Sequence, residues 1–165
     1  MNDGPLLVGI DIGATGIKAG FFRTDGTLVA KAQQPNGPRP QENGDSGWWI
    51  WDAEEIWSKV SACLKECMAH ADQGTPAAVA VTGFGTDGLP VDQDGHALYP
   101  IISWHCTRTV PERNELLKKV PAEELFDITG YHPYPINTIH RWMWLRKHAP
   151  EALDNAHRWL QVQDY

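Results

Sequence analysis

The sequence predicts an α/β domain, a mixed sheet with flanking helices, and three stretches carry that reading. Residues 6–20, LLVGIDIGATGIKAG, run apolar through Leu6, Leu7, Val8 and Ile10 to Asp11, pass a Gly-Ala-Thr-Gly turn and turn apolar again. That is strand, tight turn, strand. Residues 52–71 place Ile56, Trp57, Val60, Cys63, Leu64, Cys67 and Ala71 on one face at helical spacing. Residues 77–82, AAVAVT, form a short apolar run of the kind expected for a buried strand, and a glycine-rich loop follows.

In order, residues 6–12 and 16–23 are the first two strands, and 28–33 the third, joined across Asp25-Gly26, a hairpin signal. Residues 34–47, rich in Pro, Gly and Asn, read as a loop ending in Trp48-Trp49-Ile50-Trp51. Asp52-Ala53-Glu54-Glu55 is a capping box with Asp in the cap position, and it opens the clearest helix. Gly74-Thr75-Pro76 stops that helix before the strand at 77–82 and the loop Gly83-Phe84-Gly85-Thr86-Asp87-Gly88. Residues 89–92 and 97–104 are expected to pair as strands across Asp94-Gly95. Helices follow at about 110–119, at 122–129 before Gly130, from Asn137 or Thr138 to Lys147, and at 151–159 behind Pro150.

The first turn carries chemistry. Glycines let backbone N–H groups approach an anion, Thr15 adds a hydroxyl, Lys18 a positive charge, and Asp11 a carboxylate able to hold Mg²⁺. Those are the parts a nucleotide phosphate tail needs. No G-x-x-x-x-G-K-[ST] and no G-x-G-x-x-G is present, so neither a Walker loop nor a dinucleotide fingerprint is expected. Lys18, on the second strand, can face either side of the sheet.

Composition narrows the classes. The chain has 165 residues, enough for one domain with a sizeable core, and a net charge of −7. An acidic, unclustered balance argues against nucleic acid or an anionic membrane as the main partner. Cys63, Cys67 and Cys106 make no disulfide framework, and the first two sit a helical turn apart in an apolar stripe, as reduced core thiols do. The seven histidines lack metal-ligand spacing. No secretory leader and no apolar run of about 18 residues occurs, so a soluble, cytoplasmic protein is expected. Eight tryptophans point to large packed faces or to rings that stack on a ligand. The end on Asp164-Tyr165, within an aromatic run, reads as cut.

Five pieces together, DIGATGIKAG, GWWIWDAEEIW, AVAVTGFGTDG, LYPIISWHCTRT and NTIHRWMWL, resemble the N-terminal lobe of the FGGY carbohydrate kinases. The resemblance spans residues 6 to about 159. It implies the actin-like ATPase (ribonuclease-H-like) fold, ATP and Mg²⁺ as cofactors, and transfer of the γ-phosphoryl group to a sugar hydroxyl. The stretches TGFGTDGLPVDQDGHALYPIISWHCTRT and NTIHRWMWLRKHAPEALDNAHRWL point within the family to L-fuculose or a similar ketose.

Carried over position by position, the resemblance implies Asp11 as the residue placing the metal, and Gly13, Ala14, Thr15 and Gly16, with Lys18 beside them, as the phosphate turn. Thr86 and Asp87 fall in the sugar loop, Trp104 and Arg108 in the W-x-x-x-R stretch bordering the sugar, and Tyr134 near an aromatic sugar contact. Each has a plainer reading. Asp87 beside Gly88 fits a turn, Trp104 fits core, and Arg108 fits a pair with Glu112 at i,i+4. The family's catalytic base and adenine site have no match in this stretch; the base is expected beyond Tyr165, and the lobe alone is expected to be inactive and open to self-association. A non-catalytic sugar-binding module and an actin-like nucleotide-binding assembly domain are the two readings from other classes.

Overall fold

The computed structural model describes residues 4–71 and 74–165. In chain order the elements are β1 (Leu6–Ile12), β2 (Gly16–Arg23), β3 (Leu28–Pro35), β4 (Arg39–Pro40), β5 (Trp49–Trp51), α1 (Ala53–His70), β6 (Pro76–Gly83), β7 (Gly88–Val91), β8 (Ile101–Ile102), α2 (Val110–Lys119), α3 (Ala122–Thr129), α4 (Thr138–His148), α5 (Pro150–Asp154) and β9 (Arg158–Gln161). They fall into two compact units. Among the described residues, no helix is long and apolar enough to cross a membrane.

The first unit contains the chain up to Gly37, Asp52–Gly85 and Val162–Tyr165. Its sheet is mixed, in the order β3-β2-β1-β6, with β1 antiparallel to β2 and parallel to β6. Between β1 and its parallel neighbour β6 the chain passes through β2 to β5 and then α1, the long crossover that a parallel pair requires. Asp52 caps α1, its Oδ1 accepting from the Glu55 N–H at 3.1 Å. Ile56, Val60, Cys63 and Cys67 are buried, and the Cys63 and Cys67 thiols reach the carbonyls of Ile17 and Ala19 on β2. Trp57, placed in the apolar stripe by its spacing, is instead 56% exposed. It directly follows Ile56, which turns it about 100° off the stripe axis.

The strand expected at 77–82 forms, as β6, but it is exposed along its length rather than buried. It borders the sheet, and α1 packs over β2 and β3. An Ala/Val run signals a strand; it does not say whether both faces are covered.

The second unit contains Pro38–Trp51 and Thr86–Gln161. Short strands form two small sheets, β4-β5-β8 and β7-β9. Around Ile102, Cys106, Trp144, Leu145, Ala149 and Ala152 lies an apolar core. Two expectations change here. The hairpin partner at 97–104 reduces to a bridge between Val91 and Ala97, then β8, which pairs with β5. Pro100 offers no N–H and interrupts that run. The helix expected at 151–159 ends at Asp154, where the Asn155 side-chain amide donates to the Glu151 carbonyl, and Arg158–Gln161 pairs with β7 instead. Helices α2 and α3 match their expected bounds, and Gly130 closes α3 with a left-handed φ of +67°.

Candidate functional site

In the first unit, Asp11 and Lys18 are cross-strand partners on one face of the sheet. The Lys18 ammonium lies 3.2 Å from Asp11 Oδ2, and both side chains are about half exposed. That answers which face Lys18 takes. The turn between them is fixed from three sides. The Gly13 N–H donates to the Gly16 carbonyl at 3.0 Å, the Asn36 N–H donates to the Thr15 carbonyl, and the Asn36 side-chain amide donates to the Gly13 carbonyl at 2.9 Å. Lys59 of α1 in turn reaches Asn36 Oδ1. A side chain at position 13 would bring its Cβ to 2.6 Å from the Gly16 oxygen, so glycine is required there. Thr15 is exposed at the tip. A groove of about 780 Å³ runs over Gly9, Asp11, Lys18, Gly20, Phe22 and Thr82.

Asp11 Oδ1 has no protein partner among the described residues. A half-exposed carboxylate with one free oxygen suits a hard cation that keeps most of its waters, as Mg²⁺ does.

The second unit brings Thr86, Asp87 and Trp104 together. Asp87 is fully buried, and both its oxygens are taken by protein donors. The Trp51 indole N–H donates to Oδ2 at 2.8 Å, and the Trp104 backbone N–H donates to the same oxygen at 3.0 Å. Arg141 Nη2 donates to Oδ1 at 2.5 Å, and Arg141 Nη1 donates to the Thr86 carbonyl. Burial pushes the Asp87 carboxyl above the usual carboxylate range, against the pull of Arg141 and the N–H donors of Trp104 and Trp51. Burial likewise pushes the Arg141 guanidinium down, and Asp87 pulls it back. Asp87 is therefore no open acceptor for a sugar hydroxyl; it holds the backbone of Trp104, a residue that is 38% exposed and whose ring stacks on His105 at 3.7 Å.

Arg108 also departs from expectation. It is 4% exposed, with its guanidinium 4.3 Å from the Trp48 ring and 4.9 Å from the Trp144 ring. Its Nη1 donates to the Tyr99 hydroxyl and its Nε to the Cys106 sulfur. Two aromatic faces draw it into the core of its unit, and the i,i+4 partner Glu112 takes Lys147 instead. Tyr134, half exposed, packs against Tyr131 and His132. Among the described residues no hydrogen bond or ring contact joins it to Asp87 or Trp104.

Trp51 and Arg141 lie within GWWIWDAEEIW and NTIHRWMWL, yet neither stretch marks them as site residues. A signal for Arg141 was available. With Trp144 and Leu145 it shares the i, i+3, i+4 stripe that is buried on α4, and a charge on a buried stripe demands a partner.

Residues 6–165 match the N-terminal domain of the FGGY family of carbohydrate kinases. The chain belongs to that family. Among curated FGGY relatives, L-fuculokinase of Escherichia coli (strain K12) is 32% identical over 157 residues, 95% of this chain and 33% of that protein. Xylulose kinase of Streptomyces rubiginosus is 27% identical over 153 residues, 92% of this chain and 30% of that protein. Of solved structures, xylulose kinase from Rhodospirillum rubrum superposes with a TM-score of 0.87 at 26% identity, covering 97% of this chain and 33% of that one. The chain thus spans about a third of the length of the FGGY proteins it matches. The mixed sheet with flanking helices is that of the FGGY kinases, an actin-like ATPase fold.

Proposed function

We propose that this chain is the N-terminal lobe of an ATP-dependent sugar kinase, and that the full enzyme transfers the γ-phosphoryl group of Mg-ATP to a hydroxyl of a ketose, L-fuculose first among the candidates. The observation that carries the reading is that the FGGY match spans residues 6 to 165, a stretch that includes both the Asp11 turn and the Thr86 and Trp104 loops. A nucleotide-only assembly domain has no use for the second set. L-fuculose heads the candidates because L-fuculokinase of E. coli is 32% identical over nearly the whole chain.

Phosphoryl transfer asks the protein for positioning and charge stabilisation more than for covalent chemistry. Asp11 would hold Mg²⁺, which neutralises charge on the phosphates when bound. The rigid Gly13–Gly16 turn, with Thr15 at its tip, faces the phosphate tail, and Lys18 adds a cation on the Asp11 side of the sheet. In the second unit, the Trp104 ring offers an apolar plate to the C–H face of a sugar, and Thr86 a hydroxyl. Arg108 and Asp87 act from behind that surface. The general base for the sugar hydroxyl belongs to the part of the enzyme beyond residue 165.

A thermal-shift panel on this chain tests the sugar half, using L-fuculose, L-rhamnulose, D-xylulose, D-ribulose and glycerol, each with and without Mg-ATP. A shift confined to one ketose names the substrate. A coupled assay on the full-length protein tests the reaction, and ATP turnover that no polyol stimulates sinks the kinase reading.

A further inference from the structure

We infer that Arg141 is a positioning residue for sugar recognition: its guanidinium clamps Thr86 in a left-handed backbone conformation and, through Asp87, fixes the backbone of Trp104. This rests on the sugar-kinase reading above and goes beyond it, since NTIHRWMWL, which contains Arg141, marks the family without giving that residue a role.

Thr86 has a φ of +71°. For a β-branched residue that is an outlier, because Cβ crowds the following carbonyl, and such strain persists only where surrounding structure over-determines it. The over-determining group is visible. One planar guanidinium, 1% exposed, donates from Nη1 to the Thr86 carbonyl and from Nη2 to the Asp87 carboxylate. The two acceptors are adjacent in sequence, so the fork fixes the peptide between them as well as the side chain. Asp87 passes the constraint on, because its second oxygen accepts from Trp104 N and Trp51 Nε1 at 3.0 and 2.8 Å. Trp51 lies on β5 and Trp104 just beyond β8, and these strands pair directly, so the far end of the network is a sheet.

The exposed surface is what this arrangement serves. Thr86 is half-buried and Trp104 exposed, whereas Asp87, Trp51 and Arg141 are buried. A buried ion pair is weak grounds for stability, because its desolvation offsets its attraction. A buried pair in which Arg141 holds the Thr86 carbonyl and Asp87 holds the Trp104 N–H ties two separate loops together and has a clearer use in geometry. Lysine could supply the charge but not the planar two-armed fork.

The test uses the full-length kinase with Arg141→Lys, with Thr86→Gly and with the two combined. In Arg141→Lys the ketose KM should rise about tenfold or more, as misplacement of binding groups by about an ångström does, while the ATP KM stays put. Thr86→Gly gives up a hydroxyl that faces the sugar but adopts a positive φ freely, so adding Arg141→Lys to Thr86→Gly should raise the ketose KM by a smaller factor than it does in the native background, and the combined variant should fold even where Arg141→Lys alone does not. An unchanged ketose KM with only a lower Tm, an equal rise in the ATP KM, or the same factor in both backgrounds would overturn the inference. Native enzyme run alongside separates the two failures. If it phosphorylates no ketose, the kinase reading falls and takes the inference with it; if it does and the variants match it, the inference alone is wrong.

Discussion

Lys18 Nζ sits 3.2 Å from Asp11 Oδ2 across the β1–β2 register, at the sheet end that leads into the Gly13–Gly16 turn. Both groups are near half exposed, so solvent screens the pair and its net stabilisation is at most about 1 kcal/mol. The pair's importance is therefore chemical. Lys18→Met should leave the chemical-denaturation midpoint of the domain nearly unchanged. Asp11→Asn should likewise leave the fold intact, yet lower kcat of the full enzyme by about a hundredfold or more, the scale of losing one charge-stabilising group. Equal kcat in native and Asp11→Asn enzyme would remove Asp11 from the metal site.

Gly13 tests whether the turn must be this tight. A methyl group there meets the Gly16 backbone oxygen at 2.6 Å, and backbone cannot move aside as a side-chain tip can. Gly13→Ala should destabilise the first unit by about 1–3 kcal/mol, the usual range for forced overpacking. In the full enzyme it should raise the ATP KM more than the ketose KM. An ATP KM equal to that of the native enzyme would take the turn out of phosphate binding.

Asp87 shows why a loop motif can be legible while its geometry is not. The sequence places Asp87 in a loop after a strand, where ligands of α/β sheets are met, and there the reading stops. Whether its carboxylate faces solvent depends on Arg141, 54 residues further on. Likewise, the aromatic sandwich that removes Arg108 from the surface is assembled from Trp48 and Trp144. The Asp11 turn was legible because its partners are neighbours across one hairpin, and α1 because Asp52 and the apolar stripe are local. What escaped, including the exposed β6 and the β7–β9 pairing, was set by long-range partners. The consequence for mutagenesis is direct. Asp87→Ala strands the Arg141 charge in the interior and should destabilise the second unit by about 3–5 kcal/mol, read as a lower urea midpoint. Lost sugar binding in that variant would follow from unfolding, which is why Arg141→Lys with Thr86→Gly is the cleaner probe.

The thiols are protected in the native state. Cys63, Cys67 and Cys106 are all free and buried. Burial, with the negative charge of Glu66, pushes the Cys63 and Cys67 thiols above their ordinary value of 9.0, and the thiolate is the reactive form. At pH 8 a thiol reagent should modify native protein slowly and take up three equivalents only in denaturant. Fast labelling of one cysteine in native protein would place that residue in a locally open segment.

His140 sets a pH dependence in the second unit. Its ring, on α4, is fully buried, and burial pushes its pKa below the ordinary 6.5; carbonyls of Tyr134 and Pro135 and the charge of Glu112 pull the other way, while Arg113 adds to the depression. In the unfolded chain the imidazole takes a proton near 6.5, so on acidification the unfolded state binds protons first. Stability from this group is then full above pH 6.5 and falls as the pH drops from there through the lower native value. Urea midpoints measured from pH 8 to pH 5 should fall with acid in the native sequence, and His140→Gln should flatten the slope between pH 6.5 and 5 while lowering the midpoint at pH 8. If His140→Gln kept the native slope, the acid sensitivity would lie with the carboxylates, and the protonation of a buried imidazole would play no part in it.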